Sequence, residues 1–542
     1  MTPRNSAALV LALASTILAW APSAGAAEVP ADPSDYQALL ATLQPGDTLV
    51  LAPGTYTRLT IDGIHGEPDA WITVTGPAVG EPAVIVGESC CNTVQLYDSS
   101  YVAVTNLVID AQGLYVDAVN AKDTPSHDIL IEGNTMQGFP PDEQQIVGVN
   151  TKTTVWNWTI RGNTIFEAGT GIYLGGSEGD TPFIAGVIEN NLVLNPMGYC
   201  MQVKHQNDYT AAPDMPQGPN RTIIRNNVFI KDDRESPSGD RPNLLVGGFP
   251  DAGPGAEDTY HIYGNLLFYN PREALLQATG RVSVHDNIFV GAAASFPALA
   301  VTGHQGKSVK LAYVYNNTIF TGGTGISFSQ AAAQDDAVVG NLVFAPTPTS
   351  GSIVDLRDNL VASEAEAADY VAAPAVMLGA MDFYPLPGAV VGAPMDMAKL
   401  AGDPDFDRDY NGTAKGDFTF RGAYAGEGEN PGCPLDAEIK DCGPGGTDDG
   451  GSDDDGGSEG SIDDSGSDGG SASADSATAS ATADDDGSAD GATIDTGAAT
   501  EGAADGADGT ESGCGCASTA GSRAAGLLGL AVVLAPRRRR RR

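Results

Sequence analysis

Positive charge is what this 542-residue chain has least of: 28 Lys and Arg stand against 70 Asp and Glu, a net charge of −42. Affinity for nucleic acid rests on basic patches that neutralise phosphates, so that class of partner is excluded. An acidic polysaccharide is repelled by the chain as a whole unless a metal or a local basic groove offsets the field. No Gly-x-Ser-x-Gly elbow occurs, which removes support for a Ser-His-Asp hydrolase. Paired carboxylates protruding from successive strands, the requirement for acid-base hydrolysis of a glycosidic bond, are also missing. Asp232 and Asp233 are neighbours in sequence and would point apart on a strand.

What the chain does have is a repeated tetrad, apolar-x-x-Asn, followed by a short apolar run. Its copies end at Asn134, Asn163, Asn191, Asn227, Asn265, Asn287, Asn317, Asn341 and Asn359, with a weaker copy ending at Asn106. Most intervals lie between 18 and 30 residues, the period of a solenoid in which each turn is one supersecondary unit. The flanking residues alternate and are rich in β-branched types, as in Asp128 to Ile131 and Asn163 to Phe166, so each coil offers short strands, which lie parallel from coil to coil. An Asn tolerates the left-handed backbone of a sharp corner, and its side chain reaches the equivalent Asn one coil away, giving an internal amide ladder. The residue two before the Asn points outward: Glu132, Arg161, Glu189, Arg225, Tyr263, His285, Tyr315, Val339 and Arg357 form that column. Its first four members alternate in sign, an external salt-bridge ladder.

Spacing, Asn corners and mixed apolar interior resemble the right-handed parallel β-helix of pectate-lyase-like proteins, over about residues 35–424. The stretch Pro45 to Tyr56 is similar to the first coil of that superfamily, and Gly402 to Tyr424 to its closing segment. The resemblance implies an all-β, right-handed parallel β-helix solenoid of about ten or more coils in one domain, residues 27–442. It does not carry function, because the same solenoid hosts lyases, hydrolases, epimerases, adhesins and inert surface proteins.

Both ends are read separately. Residues 1–26, with Arg4, an apolar stretch from Ala7 to Ala21 and the small-residue site Ala24-Gly25-Ala26, read as a secretory signal peptide. Residues 443–513 are Gly, Ser, Ala, Thr and Asp with almost no large apolar side chain, the composition of an acidic, extended spacer. Residues 514–542 hold Cys514 and Cys516, an apolar stretch and six arginines. That order resembles a myxobacterial C-terminal sorting signal, which implies processing near one of the two Cys by a sorting protease at the membrane; an ordinary tail anchor is the alternative. The expected location is therefore the outer cell surface, with no membrane contact beyond this anchor. Of the remaining cysteines, Cys433 and Cys442 close a short loop and are the best disulfide pair. Cys90 and Cys200 stand too many coils apart to bridge, leaving Cys200 as a buried thiol.

Two coils are long: 36 residues separate Asn191 from Asn227, and 38 separate Asn227 from Asn265. The excess must leave as loops, about 206–221 and 232–259, and loops on a rigid scaffold are where sites concentrate. Elimination from a uronate needs a base and neutralisation of the carboxylate. Lys204, directly after the strand from Tyr199 to Val203, fits the base, with a solvated edge lysine as the alternative. Arg225 or Arg241 fits the carboxylate clamp, although Arg225 also belongs to the outward ladder. Asp232, Asp233 and Glu235 offer hard oxygens for Ca²⁺ or are simply a charged loop; His205, Asn207 and Asn243 complete a substrate-binding cluster. Trp156 and Trp158 look like a sugar-stacking pair, but Trp158 has the phase of inward-facing Ile129. Residues 407–412 match the first half of a calcium loop, yet Phe418 stands where its last ligand belongs, which leaves a polar turn as the alternative. Two functions follow: a monomeric surface protein that binds polysaccharide or cell-surface glycan, or a Ca²⁺-assisted polysaccharide lyase.

Overall fold

The computed structural model describes residues 25–89 and 91–440. Residues 1–24 of the expected signal peptide 1–26, Cys90, Cys442, the expected spacer and the expected sorting tail with Cys514 and Cys516 lie outside those residues.

Each coil crosses three parallel sheets in turn. The coil of Asn134 runs through Ser126–Glu132 in the first sheet, turns at the Asn, continues as Thr135–Gln137 in the second, and crosses Val147–Thr151 in the third. The three sheets hold 15, 12 and 11 strands. Every strand pair in them is parallel, so the β-helix expectation holds, and the single antiparallel pair among the described residues is Val371–Ala373 with Asp382–Pro385, outside the stack. Register places Ile131, Ile160, Ile188, Ile224, Ile262, Val284, Val314 and Val338 directly above one another. All are fully buried. A β-branched side chain has few χ1 choices to lose and packs flat on its copy one coil away. Helix Tyr36–Leu40 closes the N-terminal end by burying Tyr36 and Leu40.

The amide ladder is continuous. Each Nδ2 donates to the next Asn Oδ1, from Asn134 to Asn163 at 3.1 Å through to Asn341 and Asn359 at 2.9 Å. The same Oδ1 accepts the backbone N–H of the preceding ladder Asn, as from Asn191 N to Asn227 Oδ1 at 3.0 Å. One part of the sequence reading is corrected here. The left-handed residue of each corner is the one before the ladder Asn: Gly133, Gly162, Asn190, Asn226, Gly264, Asp286, Asn316, Gly340 and Asp358, with φ between 50° and 67°. Asn106 is itself left-handed, so it occupies that preceding position, and the ladder place in its coil belongs to Leu107, whose N–H donates to Asn134 Oδ1.

The outward column forms as expected over its first half, with Arg161 on Glu132 at 2.7 Å and Arg225 on Glu189 at 2.7 Å. From Tyr263 onward it is covered: His285 is stacked between Tyr263 and Tyr315 at 4.8 and 4.6 Å, and His285, Tyr315 and Val339 are fully buried. The cover is the segment 364–440. It covers the outer face of the second sheet from the coil of Leu192 onward, where Val228, Leu266, Ile288 and Phe344 meet Val371, Phe383, Tyr424 and Leu435. Over the first sheet it lays Met395, Met397 and Leu400 on Tyr315 and Val339. Its lysines dock on the corner residues, Lys415 Nζ on Asp286 Oδ2 at 2.7 Å and Lys440 Nζ on Asn226 Oδ1 at 2.9 Å. Cys433, in this cover, is disulfide-bonded. In residues 407–412 Asp409 accepts backbone N–H groups from Asn411, Thr413 and Ala425.

Two outcomes follow. Replacing Asn227 by Ala strips partners from Asn191 above it and Asn265 below, so it should cost about 3 kcal/mol, whereas Asn359→Ala at the half-buried end should cost about 1 or less. Urea denaturation of the two variants measures the difference. The second concerns His261 and His285, whose pKa values burial pushes down to about 3. A histidine in the unfolded chain titrates near 6.5, so between pH 6.5 and 3 the unfolded state binds more protons and stability drops as pH falls. The urea midpoint should decline below pH 6.5, and less steeply in a His261→Gln, His285→Phe double variant; equal slopes would assign the acid sensitivity elsewhere.

Candidate functional site

The cover reaches the second sheet from the coil of Leu192 onward and the first from Tyr263 onward, and the outward positions of the third sheet on the earlier coils are polar. Its side chains line up in columns because the strands are in strict register. Gln95, Asn120, Asn150, Tyr173 and Gln202 occupy one outward column on five successive coils. Two residues further along each strand the column reads Tyr97, Lys122, Lys152, Gly175 and Lys204; the backbone bonds Lys152 N to Ala121 O at 2.8 Å and Lys204 N to Leu174 O at 2.8 Å hold that register. Three lysines of a strongly acidic chain therefore share one edge of one sheet, at the corner between the third and first sheets.

On the opposite side of the amide column stands Asp117. Its Oδ2 accepts Nδ2 of Asn120 at 2.7 Å and of Asn150 at 2.9 Å, and its Oδ1 accepts the backbone N–H of Val147 at 2.9 Å. Burial is the largest influence on Asp117 and raises its pKa, with Lys152 acting against it. Because both amides turn their nitrogens to Asp117, the Oδ1 atoms of Asn120 and Asn150 are buried without a hydrogen-bond partner. Asn120 and Asn150 are each 1 % exposed, so with Asp117 they form an internal polar network beneath the surface.

Lys204 is 4 % exposed, which corrects the solvated-edge reading. Its neighbours in the column are Gly175 and Gly247, and a Cβ on Gly175 would stand 3.5 Å from Lys204 Cβ. At Gly247 a Cβ would instead meet the backbone, at His205 N and 2.7 Å from Lys204 C, so that coil passes close beneath Lys204. Its ammonium enters no ion pair or hydrogen bond among the described residues. His205 packs against Gly179, where a Cβ would fall 2.7 Å from Nε2. Asn207 donates from Nδ2 to Glu178 O at 2.7 Å, which ties loop 206–220 to the loop of the preceding coil.

The other residues singled out from sequence are dispersed. The expected loop 232–259 is interrupted by the third-sheet strand Leu244–Val246, so residues 231–243 lie at the corner between the second and third sheets and residues 247–258 at the corner where Lys204 stands. Arg241 donates to Asp240 O and Ser238 O and lies over the Tyr199 ring. It is six residues before Gly247, the level of Lys204, and so on the order of 15–20 Å away along the strand direction. Arg225 is on the first sheet, held by Glu189 and by Tyr263 Oη at 3.2 Å, which is the ladder role. Base and clamp candidates thus occupy three different corners of the prism and cannot meet one sugar carboxylate. Asp232 is paired with Arg234 at 2.9 Å, Asp233 and Glu235 are exposed, and among the described residues no three His, Cys, Asp or Glu side chains form a metal-binding group. Asn243 is internal, bonded to Phe229 O, Phe268 O and Asn270. Lys231 is also structural: its Nζ donates to Gly198 O and Arg241 O, and burial pushes its pKa down to about 8. Cys200 is a buried thiol as expected, its pKa pushed up to about 12 by burial. Trp158 is in the core, as its phase predicts, with Nε1 donating to Ser126 O at 3.1 Å.

The residues that sequence reasoning passed over carry a signal of their own. Val119-Asn-Ala-Lys122, Val149-Asn-Thr-Lys152 and Met201-Gln-Val-Lys204 are copies of one tetrad, apolar, amide, short or branched, lysine. They repeat on the third sheet as the Asn tetrad repeats on the first.

No protein-family model matches this chain, and no curated protein matches it. Among solved structures it is similar to an alginate lyase from Paenibacillus sp. str. FPU-7, with 15 % identity over 62 % of this chain and 99 % of that one and a TM-score of 0.34. It is also similar to the A-module of the mannuronan C-5 epimerase AlgE4 of Azotobacter vinelandii, with 16 % identity over 60 % and 95 % and a TM-score of 0.39. The pectate lyase Pel9A gives 13 % identity over 64 % and 84 %, with a TM-score of 0.37. At such identities the roles of individual side chains rest on this chain's own geometry.

Proposed function

We propose that this protein binds an acidic polysaccharide along the outer face of its third sheet, at the cell exterior. The observation that carries the reading is the in-register tetrad: Lys122, Lys152 and Lys204 in one column, with Asn120, Asn150 and Gln202 beside them. Adjacent coils repeat at roughly 4.8 Å, close to the advance of one sugar in an extended polysaccharide, so successive rings meet successive coils. Ammonium groups answer carboxylate or sulfate. The local basic column is what an otherwise acidic protein needs to hold an anionic chain, and ionic strength should weaken the complex. Export and display on the acidic spacer belong to the same reading; the leader, spacer and Cys-Arg tail of the sequence support them. A Ca²⁺-assisted elimination is less well served, since its base and clamp candidates stand on separate corners.

Alginate and polygalacturonate oligosaccharides are the probes, with dextran as the uncharged control. Calorimetry should show binding of an acidic oligosaccharide that fades with added salt. Lys122→Ala with Lys152→Ala should weaken it roughly tenfold, since each partly exposed charge contact contributes up to about 1 kcal/mol. Lys204→Met keeps the buried stem and removes the charge, so affinity should drop while the thermal midpoint stays within about 2 °C. Equal affinity for dextran, or lysine variants that bind like the parent, would refute the reading. Release of an unsaturated, ultraviolet-absorbing product would replace binding by elimination.

A further inference from the structure

Two lysines of the cover reach the corner column of the stack, and their company differs. Lys440 Nζ donates to Asn226 Oδ1, Gly264 O and Tyr410 O at 2.9, 2.9 and 2.6 Å, acceptors that carry no charge. Lys415 meets a carboxyl and an amide together. Its Nζ lies 2.7 Å from Asp286 Oδ2, 2.8 Å from Phe406 O and 3.5 Å from Asn316 Oδ1. The last distance is beyond the ordinary range of a hydrogen bond, so the amine stands beside the Asn316 amide and is only loosely tied to it.

Register brings these groups together. His285 pairs with Tyr315 on the next coil, so Asp286 and Asn316, the residue after each, are neighbours at the left-handed corner, with φ of 52° and 50°. Asp286 and Asn316 are 2 % exposed and Lys415 6 %. The Lys415 Nζ lies 5.5 Å from the centre of the Tyr315 ring, and Phe406 and Phe418 stack beside it at 5.6 Å. An ion pair in such a place loses its hydration, which favours neutral amine and neutral carboxylic acid. Burial accordingly raises the pKa of Asp286, with Lys415 acting against it. His285, whose Nδ1 is 2.7 Å from the same carboxyl oxygen, is kept neutral by the same burial. The other oxygen, Asp286 Oδ1, has no hydrogen-bond partner, and a carboxyl proton can sit there. A cavity of about 10 Å³, the room of a single water molecule, opens on Asn316 and Lys415 against Phe418, Phe420 and Gly422.

We propose that Lys415 and Asn316 form a self-modification site, at which the lysine amine displaces the amide nitrogen and ties the cover covalently to the stack. The Lys415 ammonium first passes one proton to the Asp286 carboxylate. Nζ then bonds to Asn316 Cγ, polarised by the Asp286 acid. Of its two remaining hydrogens Nζ keeps one; the other moves through Asp286 to Nδ2, the Cγ–Nδ2 bond breaks, and ammonia leaves by way of the water-sized cavity. Amine and amide thus become one secondary amide and ammonia, and Asp286 is regenerated. Lys440 has no carboxyl against its Nζ among the described residues, and it remains a free amine.

The test takes the full chain, purified folded, then denatured, reduced and digested with trypsin. Peptide masses should show a branched species joining the Asn316 and Lys415 segments, about 17 Da lighter than the two peptides together, with Lys440 unlinked. Lys415→Arg keeps the cation without the nucleophile, and Asp286→Asn places at this corner a residue that Asn190 and Asn226 already are at theirs. Each should abolish the branched species. Recovery of Lys415 as an unmodified amine from the folded parent overturns the proposal and leaves a buried ion pair. Loss of ammonia confined to one peptide, as Asn411 before Gly412 would give by closing on its own backbone, overturns it too. A bond that still forms in Asp286→Asn overturns the part given to the carboxyl; should that variant not fold, the parent and Lys415→Arg still decide.

Discussion

A sharp corner leaves backbone groups that no residue of the same coil can reach, and in this protein each coil borrows the answer from its neighbour. The ladder Asn gives its oxygen to the backbone and side chain of the coil before it and its nitrogen to a carbonyl there and to the Asn ahead. Unmade hydrogen bonds in a dry interior are costly, so pitch, register and corner position are set together along the whole stack. Everything else inherits that register. The isoleucine column packs because the Asn beneath each strand end is in place, and the lysines of the third sheet share a column because strands in the first cannot slip.

The division of labour among the three faces follows from what covers them. Apolar outward residues on the second sheet require a lid, and segment 364–440 supplies it, continuing over the first sheet with buried lysines on the corner residues. The third sheet carries amides and lysines instead, with Asp117 holding the amide nitrogens of Asn120 and Asn150.

The repeat made the fold legible before any coordinate, since Asn spacing and β-branched flanks admit few other architectures. Corner chemistry was half legible: Gly133, Asn190 and Asp286 are types that favour a left-handed backbone, but the more regular Asn behind each drew the inference. The site was legible only in a second register. Its tetrad skips the coil of Ile172-Tyr-Leu-Gly175, and the long insertions held the densest charge, so attention fell on loops. Those loops hid the strand Leu244–Val246, which sends Arg241 and Asp232 to a different corner from Lys204. Lys204 is buried between Gly175 one coil before and Gly247 one coil after, neighbours that no local window contains.

The central claim is that ligand lies on the third sheet. Hydrogen exchange of the chain with and without an alginate or polygalacturonate oligosaccharide examines all three faces at once. The account predicts added protection at residues 119–122, 149–152 and 201–204, with the Asn corners and the cover segment unchanged. Protection confined to residues 231–243, or to the first-sheet ladder around Arg225, would contradict it.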